Sequence, residues 1–108
     1  MNPVRGETAL VVGEVTYRLK LTAGAICEAE AEGKRAFLEM MAQAHWFSHA
    51  RLMLWAAMRE FHPGVDKKMA AEIIDKVGIN KVVETVLEAF AAAFPKEAAD
   101  KTEDKTDP

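Results

Sequence analysis

Apolar and polar residues alternate over the first part of the chain and then recur at helical spacing, and this change of period divides the molecule. Glu7-Thr8-Ala9-Leu10-Val11-Val12 and Val15-Thr16-Tyr17-Arg18-Leu19-Lys20-Leu21 are β-rich runs on either side of Gly13-Glu14. Glycine in the first turn position takes φ > 0 without a Cβ clash, which suits a type II′ hairpin over 7–21. That turn sets the register. Val12 then pairs with Val15, Leu10 with Tyr17 and Thr8 with Leu19 on an apolar face, while Glu7 meets Lys20 and Ala9 meets Arg18 on a charged one.

A lone hairpin is marginally stable, so its apolar face needs cover, and the rest of the chain reads as helices. Thr22 is placed to cap a helix over 22–32 that Gly33 stops, with Ile26, Cys27 and alanines on its apolar side. A second helix over 34–47 carries Phe37, Leu38, Met41 and Ala44 at helical spacing, with Met40 and Phe47 on the shoulder. Ser48 caps a third over 48–61, whose centre, Leu52-Met53-Leu54-Trp55-Ala56-Ala57-Met58, is apolar all round and marks the central helix. His62-Pro63-Gly64 breaks the chain. Asp66 caps a fourth helix over 66–77, with Met69, Ala70, Ile73, Ile74 and Val77 on one face and Gly78 at its end. Asn80 caps a fifth over 80–94, with Ile79 stapling the turn and Val83, Val86, Leu87, Phe90 and Phe94 as its stripe. Residues 1–95 then form a single α+β domain, an N-terminal β-hairpin packed on a bundle of about five helices. From Lys96 to Pro108 nothing larger than alanine is available to bury, which predicts a flexible charged tail over 96–108.

Composition narrows the classes. The chain has 108 residues, room for one core, and half of them are apolar. Lys and Arg number 14 against 17 Asp and Glu, a net charge of −3, so no general basic field is available for nucleic acid. Cys27 stands alone, which excludes an intramolecular disulfide and a multi-cysteine zinc site and fits a reducing cytoplasm. No long apolar stretch follows Arg5, so no secretory signal is expected. The longest nearly apolar run, Leu52 to Met58, falls far short of the roughly 20 residues that span a bilayer.

Candidate chemistry is thin. His45 and His49 would share a face if one helix ran through both, but two histidines are an incomplete metal site, and Trp46 stands where a zinc-protease pattern has Glu. Spacing nominates no nucleophile with a base: Ser48-His49, Cys27 with a distant His, and the row Glu28, Glu30, Glu32 are arrangements that any helical chain shows. No catalytic, metal or cofactor site is expected. Ala70 to Val86 has the outline of a helix-turn-helix DNA reader, yet its second helix would carry Glu84 and Glu88 beside Lys81 toward the phosphates. Met40, Met41, Met53, Met58 and Met69 fall with Phe37, Trp46, Phe47 and Trp55 in the middle of the chain. They either fill an irregular core or leave an adaptable apolar patch for a partner or a second copy.

Several stretches resemble the small tail assembly chaperones of phages and gene transfer agents, the gene transfer agent family proteins. They are Asn2-Pro3-Val4-Arg5-Gly6-Glu7 with the hairpin and Leu19-Lys20-Leu21-Thr22, then Ile26-Cys27-Glu28-Ala29-Glu30. Leu52 to Met58 with His62-Pro63, Ile73-Ile74-Asp75-Lys76-Val77-Gly78, and Ala89-Phe90-Ala91-Ala92-Ala93-Phe94-Pro95 complete the set. The resemblance covers the chain up to Pro95. It departs from the family at Ala57-Met58, where a Gly-Leu pair is frequent, and over Lys34 to Phe47. It implies a non-enzymatic protein that shields the long tape measure protein until tube subunits polymerise around it, with the tail tube protein as a further partner; the cysteine count, the net charge and the short apolar runs add a cytoplasmic setting and no role for nucleic acid or membrane. Because such a client presents amphipathic helices, its contact surface is expected at Phe37, Met40, Met41, Trp46, Phe47, Leu54 and Met58. The alternatives are a structural tail or connector component that self-associates, and a DNA-binding regulator.

Overall fold

In the computed structural model, which describes residues 7–97, Gly13 turns the chain with φ 62° while Glu14 keeps a negative φ, as a type II′ turn requires. The turn joins β1 (Glu7–Val12) to β2 (Val15–Lys20). Their antiparallel register is Glu7 with Lys20, Thr8 with Leu19, Leu10 with Tyr17 and Val12 with Val15, as the alternation predicts. Leu10, Val12 and Leu19 are buried on the inner face, whereas on the outer face Arg18 Nη2 donates to Glu7 Oε1 at 2.9 Å.

Among the described residues the hairpin is followed by the helices α1 (Ala23–Gly33), α2 (Phe37–Ala42), α3 (Phe47–Met58), α4 (Lys67–Val77) and α5 (Ile79–Ala93). The molecule is an α+β fold, a hairpin packed on helices. Two starts obey local chemistry. The Thr22 hydroxyl accepts from Ala25 N–H at 3.0 Å and the Asp66 carboxylate accepts from Met69 N–H at 2.8 Å, each satisfying an amide that the helix leaves without a partner. The buried face of α4 is Ala70, Ile73 and Ile74. The central helix is α3, which touches α1, α2, α4, α5 and β2 and buries eight of its residues, from His49 to Met58. Contact on every side is what an all-round apolar helix needs.

Other boundaries differ from the spacing. The helix expected over 34–47 is only α2, followed by turns through residue 45. Gly33 does not end α1 by adopting a left-handed conformation. Lys34 does so instead, at φ 54°, while Gly33 lies where a Cβ would come within 2.8 Å of Leu52 Cδ2. The chain then runs extended through Ala36, which has no capping oxygen. A distant residue supplies one: Glu30 Oε2 of α1 accepts from Phe37 N–H at 2.8 Å. Ser48 does not cap α3, because Ala50 N–H already donates to the Trp46 carbonyl at 3.0 Å and places Trp46 at the N-cap.

Asn80 likewise is not a cap. Gly78, at φ 91°, reverses the chain within one residue, so α5 begins at Ile79. The buried arc of α5 is wider than the predicted stripe, taking in Val82, Thr85, Ala89 and Ala93, while Leu87 lies at its exposed edge. Cys27, expected with Ile26 on the apolar side of α1, is exposed rather than buried. Phe94 interrupts α5, and residues 95–97 are helical again, so Lys96 and Glu97 do not belong to the expected tail. Proline is favoured at a first helical position, which explains the restart. The remainder of that tail, and the opening Asn2 to Gly6, lie outside the described residues.

Candidate partner-binding surface

Burial divides the seven residues expected to meet a partner. Phe37, Met40, Leu54 and Met58 are in the core, Met41 is half-buried, and Trp46 and Phe47 are 58% and 62% exposed. The four buried side chains are removed from the expected surface. Phe37 stacks on Phe90 with centroids 6.0 Å apart, and Met40, Leu54 and Met58 are fully enclosed. Fully burying side chains of this size contributes about 1.5–3 kcal/mol each, so their role is cohesion. Met53 joins them in the core, and Met69 is half-buried.

Trp46 and Phe47 sit side by side where α3 begins. Their position is built from beneath. His49, buried on the first turn of α3, donates from Nδ1 to the Gln43 carbonyl at 3.0 Å, which closes the turn after α2 and sets the imidazole plane. The Trp46 indole lies nearly parallel to that imidazole, with centroids 5.2 Å apart and 14° between planes. The indole is thus held by one face and offers the other to solvent. Phe47 forms one wall of a groove of about 240 Å³ between α3 and α4, whose far side is Ala71, Ile74 and Asp75, with Ser48 and Arg51 beside it. Arg51 and Asp75 give the groove one charge of each sign. Sequence spacing missed the α4 side, because Ile74 reads as an ordinary member of the apolar face of that helix and Ala71 falls outside it.

The groups weighed for chemistry are kept apart. His45 is in the exposed turn and His49 in the core, so no helix carries both on one face. Among the described residues no three of His, Cys, Asp and Glu converge as metal ligands. In the α4–Gly78–α5 unit, Lys81 faces Glu84 at 3.9 Å on the exposed side, and Glu88 accepts from Thr8 Oγ1 at 3.5 Å. A perturbed carboxyl lies elsewhere: the Lys67 ammonium, hydrogen-bonded to Glu32 and attracting its charge, holds that carboxyl below the ordinary range. This pair ties α1 to the start of α4.

Among the described residues no helix is long and apolar enough to cross a membrane. Comparison with protein-family models, with curated proteins and with solved structures finds no match for this chain.

Proposed function

We propose that this chain is a non-enzymatic assembly chaperone of a phage-like tail, acting in the cytoplasm and holding the tape measure protein until tube subunits polymerise around it. Apart from the resemblance in its sequence motifs, one observation carries the reading. Two adjacent aromatics stand more than half exposed at a helix start where local chemistry favours Ser, Thr, Asp or Asn, and the cap makes no side-chain hydrogen bond. A position that breaks the local rule and exposes large apolar area is where a binding function is expected. The Phe47 groove extends this surface, and its mixed charge suits a client recognised by its apolar stripe rather than by its sign.

The test is to co-express the chain with the tape measure protein encoded nearest to it. The reading expects that protein to be insoluble alone and to co-purify in soluble form with this chain. A tape measure protein indifferent to the chain contradicts it.

A structural tail component is the second reading, favoured by Val11 and Val15, which lie half exposed on the hairpin and leave β surface for self-assembly. Rings or tubes forming as concentration rises would support it, whereas a chaperone remains a small species.

A further inference from the structure

A second surface has a different chemistry. An open groove of about 320 Å³ lies between α1, α2 and α5. Phe94, half-buried, lies at its base over the core pair Phe90 and Phe37, its ring 5.4 Å from that of Phe90 between centroids. Ile26 and Leu38 form the walls, with Leu38 nearly half exposed. The charged residues of the lining are both acidic, Glu30 and Glu97.

We infer that this groove docks an amphipathic helix of a partner protein whose apolar stripe is flanked by lysine or arginine. Three helices, with Ile26, Leu38 and Phe94 as the accessible apolar side chains, form a trough that accepts side chains spaced three and four apart. The acidic rim attracts a basic flank and repels an acidic one. Other occupants fit less well. The segment after Ala99 has no Val, Ile, Leu, Met or aromatic residue to lay on the groove, and a second copy brings its own net charge of −3 to an acidic rim. The volume is at the lower end for a small-molecule site and the groove is open, so an enclosed ligand is not favoured. This surface shares no lining residue with the Trp46–Phe47 surface, and the inference does not depend on the chaperone reading.

Cys27 lines this groove, is exposed, and is the chain's single cysteine, so its alkylation rate reports occupancy. The full chain is titrated with a synthetic helical peptide of roughly 15–20 residues bearing a leucine stripe flanked by lysine, and with an isomer flanked by glutamate. The lysine peptide is expected to bind by calorimetry and slow Cys27 alkylation, with the glutamate isomer about tenfold weaker or more. Leu38→Ser is expected to weaken the lysine peptide by about tenfold at unchanged Tm, and Trp46→Ser to leave its binding unchanged. Equal protection by both peptides, or by neither, overturns the inference. Faster alkylation after truncation beyond Glu97 overturns it in favour of the chain's own segment. Protection that rises with protein concentration alone overturns it in favour of a second copy.

Discussion

Lys34 holds the end of α1 in left-handed backbone at φ 54° and ψ 46°, a conformation that glycine adopts at least cost. Lys34→Gly is therefore expected to raise stability by about 1 kcal/mol, read as a higher urea midpoint at unchanged slope. A lower midpoint would show that the lysine side chain contributes more than the backbone conformation costs. Nearby, Trp55 lies against two cations, with Arg59 at 4.7 Å and Lys67 at 5.6 Å from its ring centre. These cations reach Glu28 at 2.9 Å and Glu32 at 2.5 Å, so one indole and two ion pairs tie α1 to α3 and α4. Glu32 has its carboxyl pKa lowered, chiefly by the hydrogen bond from Lys67. A depressed acid contributes stability above its unfolded pKa and loses it as pH falls through its folded one. Lys67→Met is expected to return the Glu32 titration, followed by carboxyl NMR, to the ordinary range. Its stability deficit at neutral pH should shrink as the solution is acidified through that titration. A deficit that does not change with pH would contradict the assignment.

Element boundaries were legible where the cap is local. Asp66 begins α4 and Gly78 ends it, because a carboxylate and a glycine at positive φ act within one turn. The start and the end of α2 were not legible, since the groups that close them lie seven and six residues away, outside the helix. Glu30 takes the Phe37 amide and His49 donates to the Gln43 carbonyl, and no rule of neighbouring residues foresees either. Glu30→Ala is expected to cost about 1 kcal/mol and to speed hydrogen exchange at the Phe37 amide, with Glu30→Gln largely preserving both. Unchanged exchange in the alanine variant would rule out the carboxylate as the cap. The stripe on α5 was placed too narrowly for a related reason. Contact with β1 and β2 as well as α3 and α4 widens its buried arc beyond what amphipathic spacing suggests. In α3, Ala50, Ala56 and Ala57 are fully buried, so neighbouring elements approach its backbone closely. Ala57→Leu should overpack that contact and cost about 1–3 kcal/mol by chemical denaturation. A neutral effect would mean that space beside Ala57 is open.

At the scale of the whole molecule, the hairpin on helices was readable because two periods, two for the strands and near 3.6 for the helices, follow one another in the chain. The candidate partner surface was only partly readable. Methionines and aromatics at helical spacing mark either a core or a contact surface, and the spacing is the same for both. A central helix covered on every side turned Leu54 and Met58 into core, and packing against it and against Phe90 did the same to Met40 and Phe37. What remained outside was the pair at the start of α3, whose misfit as a helix cap is visible only once the helix boundary is known. That pair also makes the account testable without unfolding the protein. Serine at position 46 supplies the missing cap, which offsets the lost stack on His49 to within about 1 kcal/mol. Serine at the exposed position 47 removes little buried area. The decisive measurement is the soluble yield of the co-expressed tape measure protein with the parent chain and with the Trp46→Ser/Phe47→Ser double variant, alongside the Tm of each. The account predicts a matched Tm and a client that stays soluble with the parent but is lost to the pellet with the variant. A folded double variant that keeps the client as soluble as the parent does would contradict it.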